Sequence, residues 1–298
     1  MESILEINNL YKNYGRIKAV HDLSLKVEAG SVFGLLGPNG SGKTTTLGIV
    51  LDVVRKTKGE YSWFGQPPGS ESRKKIGAIL EGPAFYPNLS AKENLRIVAR
   101  IKDVPYSKID EVLETVDLAD RKNDKFQTYS LGMKQRLAIG AALLSDPYVL
   151  VLDEPTNGLD PQGIAHVREL ILKISGEGKT IILASHLLDE VQKVCTHFAV
   201  LNKGKNVYTG SVEEALSNKE NVEIIAPDMD RLVQLVNRYE YITDFRIRNH
   251  KVIVHLNHQK TAHDLNTFLV SNGVVVSHLV TEKKNLEEQF LEILSQST

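Results

Sequence analysis

At residues 37–44 the chain reads Gly37-Pro38-Asn39-Gly40-Ser41-Gly42-Lys43-Thr44, which fits the pattern G-x-x-x-x-G-K-[ST]. The apolar run Val32 to Leu36 before it predicts a buried strand, and the helical spacing of apolar residues after Gly42 predicts a helix ending near Gly59. Glycines let such a loop curl so that its backbone N–H groups point at one anion. The helix start adds a positive dipole end. The stretch therefore predicts a triphosphate-binding loop, without defining the reaction.

Three residues of this loop have specific predicted roles. Lys43 is expected to reach the β- and γ-phosphates, and the Thr44 hydroxyl is expected to ligate Mg²⁺. Thr45, at the start of the helix, belongs to the predicted nucleotide-binding set. The alternative is a glycine-rich turn that happens to precede a lysine. The combination of strand, helix and Lys-Thr pair disfavours that alternative.

An acidic pair follows a second apolar run, Tyr148 to Leu152. Ligands bind at the carboxyl ends of strands in α/β sheets, so Asp153 and Glu154 are candidate site residues. We expect Asp153 to support Mg²⁺ and Glu154 to orient or deprotonate an attacking water. Because Asp-Glu-Pro also suits an ordinary turn, the pair gains its meaning from the phosphate loop.

The bulk composition excludes several classes of protein. The 298 residues carry a formal net charge of −1, which disfavours nucleic acid as a partner. Cys195 is the only cysteine, so no internal disulfide forms and a reducing compartment is expected. The N-terminus lacks the basic start of a secretory signal. No apolar run approaches the ~18 residues that span a bilayer, so any membrane role requires a partner.

Three further motifs occur in a fixed order around Asp153. The stretch Ser130-Leu131-Gly132-Met133-Lys134-Gln135-Arg136 precedes it, Thr156-Asn157-Gly158-Leu159-Asp160 follows it, and Ser185-His186 ends the next predicted strand. Over residues 3 to about 212, this order resembles that of the ATP-binding-cassette (ABC) family. The resemblance implies a RecA-like P-loop NTPase core of α/β type, with an antiparallel β subdomain and a helical insertion. It also implies an ATPase that uses ATP and Mg²⁺.

The resemblance implies roles for several single residues. Tyr14 matches the aromatic residue that stacks on adenine. Ser130 and Gly132 match the signature loop, which caps the γ-phosphate of the other subunit, and Asp160 matches the loop that couples the two subunits. His186 matches the histidine that contacts the γ-phosphate. These matches predict an ATP-sandwich dimer with a second copy or a paralogous ATPase.

Two departures from the family pattern narrow the resemblance. Met133 stands where the signature commonly has glutamine, and Glu81 stands where a glutamine is usual. Glu81 can still offer an oxygen to Mg²⁺ or water, so it joins the predicted catalytic and metal-binding residues. The pair resembles the ATPases of bacitracin-resistance and lantibiotic-immunity exporters. We therefore expect transmembrane permease partners, export of an antimicrobial peptide or drug, and a place on the cytoplasmic face of the membrane.

Three rival functions have distinct signatures. A soluble cassette ATPase acting on DNA or ribosomes would typically carry a long coiled-coil insertion or two cassettes, and neither is visible here. A P-loop kinase would not need the stretch 130–136 or His186 in this order. A non-catalytic binding module would not need Glu154. The soluble cassette ATPase remains the alternative to the exporter subunit.

The expected domain organisation has two parts. Residues 1–214 form the nucleotide-binding domain, with a helical subdomain at about 83–145, and residues 215–298 form an accessory α+β domain. The latter predicts the order β-α-β-β-α-β, ending in a helix over 286–294, and so a ferredoxin-like domain. Its histidines His250, His255, His258 and His263 are expected to be strand and loop residues rather than a stable zinc site. Regulation or dimer contact is the expected role of this domain.

Overall fold

The computed structural model describes residues 3–217, 220–248, 250–257, 260–283 and residue 290. Its contacts divide the chain into two compact units, with the boundary between Ser211 and Val212. The phosphate loop, the acidic pair, the signature stretch and His186 all belong to the first unit.

Two sheets build the first unit. Their strands are β1 (Ser3–Tyr14), β2 (Ile17–Glu28), β3 (Val32–Leu36), β4 (Lys58–Trp63), β5 (Ile76–Ile79), β6 (Val149–Asp153), β7 (Thr180–Ser185), β8 (His197–Asn202) and β9 (Lys205–Ser211). The larger sheet has the order β5-β6-β7-β3-β8-β9, with every neighbouring pair parallel except β8 and β9. All residues of β3, β6 and β7 are buried, which explains their continuous apolar runs. The carboxyl ends of these three strands therefore lie side by side.

The smaller sheet is antiparallel, in the order β2-β1-β4. Its inward-facing residues join one apolar core with the larger sheet, including Leu5, Ile7, Leu23 and Trp63. The Trp63 indole is almost fully buried and donates from Nε1 to the carbonyl of Val50 at 2.7 Å. This shared core holds the first hairpin of the chain against the phosphate-loop region.

The helices of the first unit are α1 (Lys43–Val50), α2 (Ser70–Lys74), α3 (Ala91–Lys102), α4 (Lys108–Thr115), α5 (Leu131–Leu143), α6 (Pro161–Gly176) and α7 (Leu188–Val194). Short 3-10 turns at Ala119–Arg121 and Phe126–Thr128 lie between α4 and α5. Throughout the described ranges, no helix has both the length and the apolar content needed to cross a bilayer.

Helix α1 is shorter than the sequence predicts. The prediction of a helix ending near Gly59 is wrong, because α1 ends at Val50 and β4 begins at Lys58. The N–H groups of Val53 and Val54 both donate to the Gly48 carbonyl, so the chain folds back at that point. Val54 therefore meets Gly48 by a turn of the chain, and its helical spacing in the sequence is coincidental.

The second unit combines one sheet with helices. Its elements are α8 (Val212–Ser217), β10 (Glu220–Ile225), α9 (Met229–Arg238), β11 (Ile242–Arg248), β12 (Lys251–Leu256), α10 (Ala262–Ser271) and β13 (His278–Lys283). The sheet is antiparallel in the order β11-β12-β10-β13. From β10 onward these elements follow the expected β-α-β-β-α-β order. The sequence predicts the last strand over Val274 to Val280, and the structure has it at His278–Lys283. The ferredoxin-like class stays a prediction, and the helix expected over 286–294 lies outside the described residues apart from residue 290.

The histidines of the second unit do not converge in its described part. His255 is buried on β12, His250 and His263 are exposed, and His258 lies outside the described residues. Within the described ranges, no group of three or more His, Cys, Asp or Glu side chains is arranged to hold a metal.

The spacing of Ser90 and Glu93 predicts a capping box, and helix α3 begins with a complete one. The Ser90 hydroxyl accepts from the Glu93 N–H at 3.2 Å, and the Glu93 carboxylate accepts from the Ser90 N–H at 2.7 Å. The box satisfies two backbone donors that would otherwise lack partners in this partly buried position. By contrast, Ser107 precedes α4 without any side-chain capping bond.

We expect Ser90→Ala to lower the free energy of unfolding of the first unit by about 1 kcal/mol, because it removes a satisfied cap. Ser107→Ala is the matched control and should change it by less than about 0.5 kcal/mol. Urea unfolding followed through the fluorescence of Trp63, the single tryptophan of the chain, measures both. Equal effects of the two substitutions would contradict the capping assignment.

Candidate functional site

The phosphate loop curls between β3 and α1 with help from its glycines. Gly40 and Gly42 have φ values of 80° and 105°, a region that favours glycine. A side chain on Gly42 would also place a Cβ 2.4 Å from the Ala19 carbonyl oxygen. Pro38 and Asn39 are exposed at the outer side of the loop. The loop is thus open to solvent on one side and packed tightly on the other.

Lys43 is a buried cation inside the loop. Its side chain is 5% exposed, and its ammonium donates to the carbonyls of Gly37 at 2.8 Å and Pro38 at 3.4 Å. The ammonium also lies 3.3 Å from Glu154 Oε1. A buried charge needs such partners, because desolvation without them is costly. The lysine is therefore held in the curl of the loop, where an anion would meet it.

The first turn of α1 adds further anion-binding groups. The helix begins at Lys43, so the N–H groups of Lys43, Thr44 and Thr45 have no carbonyl of a preceding turn. The Thr44 side chain is exposed, and that of Thr45 is partly buried. The Ser41 hydroxyl is buried and has no hydrogen-bond partner among the described residues.

Asp153 ends β6 as a buried carboxyl group next to this loop. It is 4% exposed, and its Oδ1 has no hydrogen-bond partner in the described part of the chain. Burial raises the pKa of Asp153 above its ordinary value, and a hydrogen bond with Thr44 partly offsets this. The negative charges of Glu154 and Glu81 raise the same pKa further. A buried carboxylate oxygen beside a threonine hydroxyl is the donor set that a hard divalent cation prefers.

Glu154 connects the loop to His186. Its backbone adopts φ 48°, a left-handed conformation that is uncommon for a residue with a side chain. Its Oε2 lies 2.8 Å from His186 Nδ1, while its Oε1 pairs with Lys43. A carboxylate partner favours the imidazole form that carries its proton on Nδ1. The strained backbone thus accompanies a carboxylate that is shared between a cation and an imidazole.

Glu81 lies close to the acidic end of β6. It follows β5, which pairs with β6, and its backbone also has a positive φ of 62°. Its charge contributes to the raised pKa of Asp153, after the larger effect of burial. The aromatic stretch that follows starts at Phe85, whose ring packs at 5.2 Å from that of Phe126. Its neighbour Tyr86 is 61% exposed.

The predicted adenine residue, Tyr14, lies at the end of β1 and pairs with Ile17 across the hairpin. Its ring is 48% exposed, and the Lys12 ammonium lies 4.6 Å from the ring centre. Ala19 of the same hairpin contacts Gly42 of the phosphate loop. An exposed aromatic ring and the phosphate loop therefore lie on connected segments.

The signature stretch and the loop containing Asp160 meet at a separate place. Ser130 caps α5 by accepting from the Met133 N–H, and Asp160 caps α6 by accepting from the Gly163 N–H at 2.8 Å. Ser130, Gly132, Met133 and Asp160 line one open cavity of about 470 Å³. None of the described residues that line this cavity belongs to the phosphate loop. Two capped helix starts thus face one solvent-open space.

Sequence reasoning missed the backbone groups that support the phosphate loop. The Gly204 N–H donates to the Ser41 carbonyl at 3.0 Å, and the Gly37 N–H donates to the Ser185 carbonyl at 3.3 Å. A Cβ on Gly37 would lie 2.4 Å from the Leu201 carbonyl oxygen, so that approach requires glycine. The Lys203-Gly204 pair signals a turn in the sequence, but nothing in it indicates which segment the turn contacts.

Comparison with known proteins agrees with this geometry. The family profile described as ABC transporter matches residues 20–157. The bacitracin transport ATP-binding protein BcrA of Bacillus licheniformis is 36% identical over 100% of this chain and 99% of its own. The lantibiotic transport ATP-binding protein SrtF of Streptococcus pyogenes is 38% identical over 74% of this chain and 94% of its own. A solved dimeric ATP-binding cassette, bound to ADP and Pi in a post-hydrolysis state, is 25% identical with a TM-score of 0.62, covering 70% of this chain and 99% of its own.

A P-loop between a buried parallel strand and a helix, with an acidic pair after one neighbouring strand and a histidine after another, is typical of nucleoside-triphosphate-binding proteins of this fold. The chain belongs to the ABC transporter family, as an ATP-binding subunit with ATPase activity. The predicted family, P-loop NTPase fold and ATP-binding function are confirmed. The roles of individual residues stay predictions.

Proposed function

We propose that this chain hydrolyses ATP as the motor subunit of a membrane exporter, with Glu154 as the group that activates water. The observation that carries the proposal is the position of Glu154, which lies 3.3 Å from the Lys43 ammonium and 2.8 Å from His186 Nδ1. A carboxylate beside the phosphate-binding cation can reach a water near the γ-phosphate. His186 then orients that carboxylate and contacts the γ-phosphate.

When ATP binds, the phosphates must replace the groups that contact the Lys43 ammonium. Lys43 is held by the Gly37 and Pro38 carbonyls and by Glu154, and the β- and γ-phosphates replace these as stronger, charge-assisted acceptors. The N–H groups of Asn39 to Thr45 and the start of α1 complete the cradle for the phosphates. Tyr14 stacks on the adenine. Glu154, released from Lys43, is then available to water.

The residues at the end of β6 suit Mg²⁺. Asp153 Oδ1 is buried and unpartnered among the described residues, and the Thr44 hydroxyl is its hydrogen-bonding neighbour. Thr44 and Asp153 would hold the ion, and Glu81 adds a further oxygen nearby. When bound, Mg²⁺ neutralises charge on the phosphate oxygens.

The signature cavity supports association of two cassettes. Ser130 and Gly132 line it together with Asp160, and its described lining includes no residue of the chain's own phosphate loop. A helix start with a serine cap is an anion site that needs a phosphate from elsewhere. We infer that the second phosphate loop belongs to another copy or to a paralogous subunit. A dimeric cassette among the solved relatives supports this arrangement.

The relatives support a membrane partner and a substrate class. BcrA and SrtF carry the names of bacitracin and lantibiotic transport proteins. We infer that this chain binds transmembrane permease subunits on the cytoplasmic face of the membrane and powers export of an antimicrobial peptide or drug. The same names argue against the alternative of a soluble cassette ATPase.

The domain organisation that we propose keeps the catalytic part in residues 1–214, with the helical subdomain at about 83–145. The accessory domain, residues 215–298, then regulates the ATPase or contributes to dimer contact. SrtF aligns with 74% of this chain and 94% of its own length, whereas BcrA aligns with all of this chain, so the relatives differ in how much of the chain they match. An accessory role is consistent with that difference.

Glu154→Gln should retain ATP binding and lower kcat at least about 100-fold, because the amide cannot accept a proton from water. Nucleotide binding and phosphate release are measured separately, and dimerisation in ATP should persist. Glu71→Gln, at an exposed glutamate of α2, is the matched control and should leave kcat unchanged. Near-normal turnover of the Glu154 variant would refute its role.

Glu81→Gln restores the common family residue and removes one negative charge near Asp153. We expect the variant to change the coupling ratio, ATP hydrolysed per molecule transported, in the complex reconstituted with its permease. The ratio is compared with that of Glu71→Gln in the same vesicles. Unchanged ATPase and unchanged transport would together exclude a special role for Glu81.

Removal of residues 215–298 tests the accessory domain. We expect the truncated chain to bind ATP and to differ from the full chain in ATPase rate or in ATP-driven dimerisation, by about twofold or more. Analytical ultracentrifugation and phosphate release provide the two measurements. Identical values for both chains would count against a regulatory or dimer-contact role.

A further inference from the structure

A second pocket lies at the amino ends of strands in the large sheet, whereas the phosphate loop lies at their carboxyl ends. Its volume is about 230 Å³, and the described residues that line it are Ser3, Ile4, Ala29, Phe64, Lys75 and Tyr148. Tyr148 and Lys75 directly precede β6 and β5, at their amino ends. Because β6 has five residues, its amino end lies about 16 Å from the catalytic end. The pocket is therefore separate from the ATP site.

The turn that carries Phe64 into this pocket has an unfavourable backbone conformation. Phe64 and Gly65 form the two-residue turn after β4, closed by mutual hydrogen bonds between Trp63 and Gln66. Both turn residues have positive φ, 54° and 69°, as a type I′ turn requires. That turn favours Asn-Gly or Asp-Gly, and a bulky aromatic residue in the first position is a genuine outlier. Local backbone preference therefore does not explain Phe64.

The surroundings of the Phe64 ring indicate what it provides. The ring meets that of Tyr148 edge to face, with centres 6.5 Å apart, and the Lys75 ammonium lies 5.2 Å from its centre. Tyr148 is 66% exposed, although its N–H is anchored to the Lys75 carbonyl at 2.9 Å. Two aromatic rings and one ammonium group thus line the same pocket.

The charge of Lys75 is available to a ligand. Among the described residues, no carboxylate lies within ion-pair distance of its ammonium. The Ser3 hydroxyl donates to the Leu5 carbonyl at 3.2 Å, so toward the pocket it can act as an acceptor. Ile4 and Ala29 contribute aliphatic surface. The only charge that lines the described pocket is therefore positive.

We propose that this pocket is a binding site for a small carboxylate with a single aromatic ring. An enclosed cavity of about 150 Å³ holds benzene, whereas drug-sized ligands occupy pockets of about 300–1,000 Å³, so the volume suits one ring. The ligand ring packs against the sides of Phe64 and Tyr148 that line the pocket, and the carboxylate pairs with Lys75. The pocket and the ATP site are independent, so ATP binding does not depend on this ligand.

Trp63 provides a reporter inside the protein, because its ring lies 6.1 Å from that of Phe64 and it is the only tryptophan. We expect phenylacetate to change Trp63 emission saturably, with a Kd on the order of 1 mM or below. Phenethylamine has the same ring with a positive charge, and it should bind at least about tenfold more weakly. The titrations use the full chain.

Four substitutions at three residues separate the contributions of ring and charge. Lys75→Gln should bring the affinities for phenylacetate and phenethylamine within about threefold of each other. Tyr148→Ala should weaken phenylacetate about tenfold, and Tyr148→Phe should retain it. Phe64→Asn suits the turn and should abolish the response while the protein remains folded.

ATP binding and hydrolysis by each variant provide the control for an intact protein, because these residues lie outside the ATP site. No saturable response to phenylacetate in the parent protein would overturn the proposal. The same would follow if Lys75→Gln and Tyr148→Ala bound phenylacetate as tightly as the parent. If the parent protein did not hydrolyse ATP, the function proposed above would be contradicted, but the proposal for this pocket would stand.

Discussion

The ion pair between Lys43 and Glu154 is the interaction on which the rest of the site depends. Lys43 is 5% exposed and Glu154 20% exposed, so neither charge is fully solvated. Removing one partner of a buried pair costs about 3–5 kcal/mol, whereas exposed pairs contribute only about 0–1 kcal/mol. The pair requires the ends of β3 and β6 to be close, and β7 lies between them in the sheet. That position brings His186, directly after β7, to the same carboxylate.

Local patterns carried the part of the fold that could be predicted from the sequence. The apolar runs of β3, β6 and β7, the phosphate loop and the capping box of α3 are each encoded within a few neighbouring residues. The geometry then brought Lys43, Asp153, Glu154 and His186 together, because parallel strands in one sheet end at one edge. The strand order of the sheet therefore places these residues close together, although they are far apart in the chain.

What the sequence could not predict depends on contacts between distant segments. Val54 has the spacing of a helical residue, but α1 ends at Val50. The chain turns back onto Gly48 at this point, and that turn depends on packing. The support of the phosphate loop by Ala19 and Gly204 uses carbonyl and N–H groups, which every residue carries. The residue types in the sequence therefore do not show which segments make these backbone contacts. The pocket beside Phe64 likewise combines five separate segments, and only the turn residue Gly65 has a local signature.

Charge balance supports the proposed divalent cation at Asp153 and the proposed role of Glu81. The carboxyl groups of Asp153, Glu154 and Glu81 lie near a single buried ammonium, and the negative neighbours already raise the pKa of Asp153 after the larger effect of burial. A triphosphate adds several further negative charges to the same low-dielectric region. Lys43 alone cannot compensate all of them, which supports the proposed cation at Asp153. With glutamine at position 81 this excess would be smaller by one charge. We therefore infer that the glutamate makes nucleotide binding more dependent on the metal than it would be in a cassette with the common residue.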